Sequence, residues 1–320
     1  MAEKRMNHKQ RLTAALECRT PDSVPTFELE FQLENEMFGQ TFDYGRMSCE
    51  NLAQCGPNER DVILNEYTDH LIDLYYNKLE YSSFMLPWAG SEETTLDTLR
   101  LLRKKIGDTA MIHTHGDGTF ALPDGNEMYA FSYRIADDWD GLIEEARQKA
   151  ENAIERNKIY ADAGVDLFVL CDDYCYNSGP YISPAMFAEL ITPFLAHIIE
   201  ETRKLGVYTI KHTDGNIMPI LDQLIDCKPH AIHSLDPMAG VDIAEVKRLT
   251  AGKVAICGNV NCALMQTGTD EEVIESCRYA MDSGKPGGGY IYTTSNVPFR
   301  GLPAERYQMV LDYWKAHREY

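Results

Sequence analysis

Residues 166–216 read DLFVLCDDYCYNSGPYISPAMFAELITPFLAHIIEETRKLGVYTIKHTDGN. The stretch opens on an apolar, β-prone run, DLFVLCD (166–172), that ends in carboxylates. Ser183-Pro184 then supplies a side chain suited to cap a helix and a proline suited to its first turn. A second apolar run, VYTIKH (207–212), follows and ends in His212-Thr213-Asp214-Gly215-Asn216. Strand, helix and strand in succession predict one unit of a parallel α/β fold.

The alternation continues in both directions. Further β-prone runs are VPTFELEF (24–31), YSSFML (81–86), AMIHTHG (110–116), HAIHSLD (230–236), KVAICGN (253–259) and GYIYTTS (289–295). Helical patterns fill the intervals at 58–79, 94–107, 138–163, 215–227, 242–250, 270–283 and 303–317. Gly107 stands where a helix C-cap belongs. Eight strands, each followed by a helix, predict a (β/α)8 TIM barrel as one domain over residues 1–320, slightly longer than the roughly 250 residues typical of the fold. Residues 24–31 and 289–295 are then expected to be neighbours that close the barrel. A doubly wound sheet would place a glycine-rich turn after its first strand, and Phe27 to Phe38 contains no glycine. One segment breaks the alternation: FALPDGNEMYAFSYRI (120–135) carries Asp124-Gly125 between apolar flanks. It predicts a hairpin inserted after strand 3, over about 118–136, at the barrel mouth.

Composition narrows the class. No run approaches the roughly 20 apolar residues of a membrane-spanning helix. The start, MAEKRMNHKQRL, lacks the apolar centre of a secretory signal. Nine cysteines without scaffold spacing suit reduced thiols in the cytoplasm. A net charge of −20, from 50 acidic and 30 basic residues, argues against a nucleic-acid partner. It provides solubility or a docking surface for a basic protein.

In a barrel of this kind the loops after the strands build the active site. Polar residues crowd those ends here: Glu28 and Glu30; His113, His115 and Asp117; Cys171, Asp172 and Asp173; His212 and Asp214; His233 and Asp236; Cys257 and Asn259; Thr293 to Asn296. His212 and Asp214, just past a strand, can converge on one point. Asp214 can equally cap the following helix, with His212 a core hydrogen-bonder. Two adjacent carboxylates, Asp172 and Asp173, after a buried strand call for a cation, a donor or a proton. Cys171 and Cys175 form a lone C-x3-C, a weak metal or redox signal, and Cys171 fits the barrel wall as well. Met128, Tyr129, Phe131 and Tyr133 can line a pocket for a flat ligand or pin the hairpin down.

Together these strings resemble the uroporphyrinogen decarboxylase-like superfamily, and within it the corrinoid-dependent methyltransferase branch of O-demethylase type. NHKQRLTAALECRTPDSVPTFE is similar to the family's opening helix and first strand. DDYCYNSGPYISPAMFAELITPF is similar to its Asp-Asp motif, Gly-Pro and Ser-Pro-x-x-Phe helix start. KHTDGN, ICGNVN and GGGYIYTTSN match later strand ends. Two departures select the branch. True uroporphyrinogen decarboxylases carry arginines after the first strand to grip the substrate carboxylates, and here that place reads FELEFQLENEMFG. The thiol methyltransferases of the family hold zinc with His-x-Cys and a later Cys. Here the first Cys is replaced by Asp214, and Tyr292 to Asn296 contains none.

The resemblance therefore implies an anaerobic one-carbon enzyme. Its expected reaction is demethylation of a methoxylated, preferably aromatic, small substrate. The methyl group passes to the Co(I) corrinoid (cobalamin type) of a separate carrier protein. Catalysis is expected from His212, Asp214, Asp172 and Asp173. Substrate or cofactor contacts are expected from Glu30, His115, Met128, Tyr129, Asn259, Ser295 and Asn296. If zinc is bound, the expected ligands are His212, Asp236 and Cys257, from three consecutive strands. The rival readings are a decarboxylase of a smaller or tetrapyrrole-like acid, anchored by Arg134 or Arg300, and a non-catalytic corrinoid- or tetrapyrrole-binding protein.

Overall fold

A computed structural model describes residues 5–39, 42–86 and 90–320, so Met1–Lys4 of the polar opening lie outside the described residues. Seven short parallel strands form one curled sheet: β1 (Ser83–Met85), β2 (Met111–His115), β3 (Leu167–Leu170), β6 (Tyr208–His212), β7 (Ala231–His233), β8 (Ala255–Cys257) and β9 (Tyr290–Ile291). Each pairs with its successor in sequence, and a helix lies between neighbours. A parallel sheet buried on both faces needs continuous apolar strands, and β3, Leu-Phe-Val-Leu, is buried throughout. Between β3 and β6, Cys175–Tyr176 (β4) and Gly179–Pro180 (β5) form a small antiparallel hairpin.

The run Val24–Phe31 makes no ladder of its own but lies between the two ends of the sheet. Thr26 bridges Tyr292 in the parallel sense, and the Ser82 N–H donates to the Thr26 carbonyl at 2.7 Å. Two residues interrupt the pairing. Pro25 has no N–H to give. The Glu28 carboxylate, 3.2 Å from the Thr294 N–H, occupies a donor that a strand carbonyl would otherwise use.

The hairpin expected at 118–136 is a helix instead, Met128–Asp137. Asp124 turns the chain, with the Asn126 and Glu127 N–H groups donating to its Oδ1 at 2.8 and 3.0 Å. Past that turn the apolar residues repeat at helical spacing, and Phe131 packs on Phe120 and Tyr181. Asp-Gly is a turn signal, and here it starts a helix rather than joining two strands. The other expected helices form close to their expected bounds, with two exceptions. The 215–227 pattern shortens to a 3-10 turn, Met218–Ile220, and a helix over Leu221–Asp226, and 58–79 ends in a π-helical turn, Asp73–Lys78. Ser183 caps Pro184–Leu190 by accepting from the Met186 N–H, and Gly107, at φ 54°, ends Glu92–Ile106.

Candidate active site

Because the strands run parallel, their carboxyl ends share one rim. The polar strand ends therefore meet although they are far apart in sequence. Gly215 shapes the rim after β6. Its φ is +80°, and a Cβ there would stand 2.5 Å from the Cys175 carbonyl oxygen. Only glycine lets the hairpin approach the His212–Asn216 loop this closely.

The centre of the rim is a chain of two imidazoles. His233 Nε2 lies 3.0 Å from the Thr294 carbonyl, an acceptor only, so Nε2 carries the proton. Burial lowers the pKa of His233 to about 4, which leaves it neutral and makes its Nδ1 an acceptor. His212 Nδ1, 2.8 Å away, must then be the donor. His212, also buried, is held well below the ordinary histidine range first by desolvation and then by His233. Its remaining nitrogen, Nε2, faces the rim as a lone pair, 3.6 Å from Asp173 Oδ1 and 3.8 Å from Asp214 Oδ1.

Three side-chain acceptors thus converge, and the one donor between them is the Asp214 N–H, which gives to Asp173 Oδ1 at 2.8 Å. Asp173, His212 and Asp214 each offer a ligand atom within 4.8 Å of the others. Asp214 Oδ2 accepts from Asn296 Nδ2 at 2.6 Å, while Oδ1 is buried without a hydrogen-bond partner among the described residues. Burial, then the charge of Asp173, pushes the Asp214 carboxyl up to about 6. The Asp173 carboxyl is also raised by burial. Such a set is stable when a proton or a cation sits in it.

Asp172 turns away from its neighbour. Its Oδ2 accepts from the Thr119 N–H at 2.9 Å and the Thr119 hydroxyl at 2.7 Å. Beneath the pair lies Lys211, fully buried, donating to the Leu170 carbonyl at 3.1 Å and the Asp172 carbonyl at 2.6 Å. Its ammonium also sits 4.0 Å from the centre of the Tyr174 ring. Lys211 was legible only as an odd charge inside an apolar strand, and His233 only as one polar strand end among many. Both shape the site.

The remaining expected residues separate by location. His115 bridges Glu30 (3.4 Å) and Asp117 (3.7 Å), and its pKa is raised, first by the Glu30 contact. Glu28 faces the opposite way: buried, it accepts from the Thr294 hydroxyl at 2.7 Å and the Tyr307 hydroxyl at 3.1 Å. Asn259 Nδ2 donates to the Leu235 carbonyl at 2.7 Å, and the Ser295 hydroxyl accepts from the Cys262 N–H at 3.3 Å. Met128 and Tyr129 begin the helix at 128–137, with Tyr129 76% exposed.

Among the described residues, the group that could hold a metal ion is not the expected His212, Asp236 and Cys257. Asp236 caps the turn after β7 by accepting from the Met238 N–H at 2.8 Å. Cys257 is fully buried, its thiol pKa driven up by desolvation, with Thr293 Oγ1 3.7 Å away. Asp173 and Asp214 stand beside His212 in their place. Both Asp236 oxygens are engaged by backbone N–H groups, Oδ1 by Met238 in its own turn and Oδ2 by Gly215 of the loop after β6 at 3.3 Å. Cys175 lies in the small hairpin and is also buried.

The family described as uroporphyrinogen decarboxylase (URO-D) matches residues 88–317. This chain belongs to the URO-D family. No curated protein matches this URO-D family member. Among solved structures it is similar to a methyltransferase from Methanosarcina mazei, at 15% identity and a TM-score of 0.70, over 97% of this chain and 99% of that one. The identity is low enough that the likeness concerns the fold. A weaker likeness, TM-score 0.45 at 14% identity, links 83% of the chain to 95% of protein SMc04130 from Sinorhizobium meliloti 1021.

The donor set of this URO-D family member fits a divalent cation. Two carboxylates and one neutral imidazole are ligands that zinc accepts, and three protein ligands leave a position open. His233 fixes the tautomer of His212, the usual task of a group behind a metal-bound histidine. The orphaned Asp214 Oδ1 points into the same space. No helix of the described residues is long and apolar enough to cross a membrane.

Proposed function

We propose that this URO-D family member demethylates a methoxylated, preferably aromatic, compound and passes the methyl group to the Co(I) corrinoid of a carrier protein. The carrying observation is the convergence of the His212 Nε2 lone pair with the Asp173 and Asp214 carboxylates. The same reading takes Val24–Phe31 as the eighth stave of a (β/α)8 barrel whose mouth holds that cluster.

The chemistry asks for such a group. In the transfer the methyl–oxygen bond breaks, its electron pair stays on oxygen, and the corrinoid's cobalt supplies the pair for the new bond to carbon. An aryl or alkyl oxide leaves poorly unless its oxygen is protonated or bound to a Lewis acid. Zinc held by Asp173, His212 and Asp214 would supply the Lewis acid. Without a metal, Asp214 can hold the proton, since its pKa is raised to about 6. Asn296 orients that carboxyl through Oδ2, which leaves Oδ1 for the oxygen or the cation. His233 keeps the His212 lone pair aimed at the same point. The M. mazei methyltransferase, alike over nearly the full length of both chains, agrees with methyl transfer as the reaction class.

The test combines metal analysis with turnover. Purified protein is assayed for bound zinc and for methylation of Co(I) cobalamin by a panel of methoxyarenes. Methylcobalamin formation that disappears in Asp214→Ala is the expected result. No methyl transfer from any methoxylated compound, with or without zinc, would falsify the reading.

A further inference from the structure

A cavity of about 600 Å3 opens beside the loops that follow Val24–Phe31 and β9. Its wall includes Phe31, Gln32, Tyr44, Leu71, Tyr75 and Arg300. That volume suits a single substituted ring, within the roughly 300–1,000 Å3 usual for small-molecule sites. Phe31, Tyr44 and Tyr75 supply flat apolar surface, and Tyr75 and Leu71 are buried at its base.

Arg300 gives the cavity its chemical bias. Among the described residues its guanidinium has neither a hydrogen bond nor an ion pair, and only its backbone N–H is engaged, with Gln32 Oε1 at 3.4 Å. Arg134, the other candidate anchor, is occupied by Glu145 at 2.7 Å. Glu34, also on the wall, does not neutralise Arg300. It accepts from the Tyr44 hydroxyl at 2.5 Å and faces His70 Nε2 at 3.2 Å. In a chain of net charge −20, an uncommitted guanidinium beside aromatic rings is a local exception to a surface that repels anions.

Gln32 ties this cavity to the rim. Its Nε2 donates to Glu30 Oε2 at 3.3 Å, and Glu30 Oε1 faces His115. We infer that the cavity binds an aromatic carboxylic acid, with Arg300 anchoring the carboxylate and Phe31 and Tyr75 flanking the ring. A planar guanidinium matches a carboxylate through two parallel hydrogen bonds, which a lysine does not reproduce. The inference rests on the demethylase reading for the fate of a methoxyl group, but not for recognition of the acid.

Calorimetric titration with 3-methoxybenzoate and with anisole, which lacks the carboxylate, separates the two. The acid is expected to bind at least about tenfold more tightly, as a charge-assisted contact predicts. Arg300→Ala should abolish that preference, and Arg300→Lys should restore only part of it. The melting temperature should stay unchanged in both variants, because neither removes a hydrogen bond or ion pair among the described residues. Equal binding of both probes, or an unchanged preference in Arg300→Ala, overturns the carboxylate site. Arg300-dependent acid binding without methyl transfer to Co(I) cobalamin keeps the site and removes the demethylase reading. Methyl transfer that ignores the carboxylate removes the site alone.

Discussion

The Nδ1 atoms of His212 and His233 lie 2.8 Å apart, so one ring must donate and the other accept. The Thr294 carbonyl on the far side of His233 decides which. A backbone oxygen after β9 thereby sets the proton position on a side chain of β6. His233→Ala should weaken zinc binding by about 10–100-fold, the usual effect of losing such a partner. Equilibrium dialysis against a zinc buffer measures it, and unchanged affinity would mean that the tautomer is set some other way.

His212→Ala is expected to remove methyl transfer while leaving a folded protein. Loss of a metal ligand should cost at least the roughly 10²–10⁴-fold that general acid catalysis contributes. If His212 were only a core hydrogen-bonder, stability would fall by about 1–3 kcal/mol and activity only with the folded fraction. Melting temperature, bound zinc and turnover on one preparation distinguish the two. Near-normal turnover per folded molecule rules the catalytic role out.

Asp214 makes stability depend on pH in a defined direction. Its carboxyl is raised from the ordinary value of 3.8 to about 6, so the folded state holds the proton more tightly than the unfolded one. The contribution is full below about 3.8 and is lost as pH rises through about 6. Chelator-treated protein should therefore lose melting temperature across that window, and Asp214→Asn should flatten the loss. Zinc should restore more stability above the window than below it. A variant with the same pH profile as the parent would contradict this assignment.

Glu28 behaves likewise at a higher pH. Complete burial raises its carboxyl from 4.5 to about 8, against the pull of Thr294 and Tyr307. Its contribution is present below about 4.5 and declines as pH rises through about 8. Glu28→Gln should remove this dependence and fold well at neutral pH. Glu28→Ala should cost about 1–3 kcal/mol for each buried donor left unpaired. Thermal melts between these limits check both.

Uroporphyrinogen should be neither bound nor decarboxylated. Glu28 is sequestered against Tyr307 and takes no part in the repulsion. Acidic groups at the strand ends remain, Glu30 and Asp117 about His115 and Asp173 and Asp214 about His212. Measurable coproporphyrinogen formation would refute this.

Parallel α/β order was legible in the chain because apolar runs and capped helices report local demands. Ser183, Gly107 and the buried strands each answer a requirement within a few residues. Asp124-Gly125 shows where that logic ends, since a turn can lead into a helix as readily as into a strand and only the apolar spacing beyond it decides. Which polar strand ends act together was decided by tertiary structure. Asp172 and Asp173 are adjacent in sequence, yet Thr119 draws one aside while the other joins His212. Cys257, a plausible ligand by position, sits beside Thr293, and Asp236 is taken up by two backbone N–H groups, those of Met238 and Gly215. Composition and periodicity say that a group ends a strand; whether its lone pair meets another's depends on contacts across the sheet, and those are absent from the linear order.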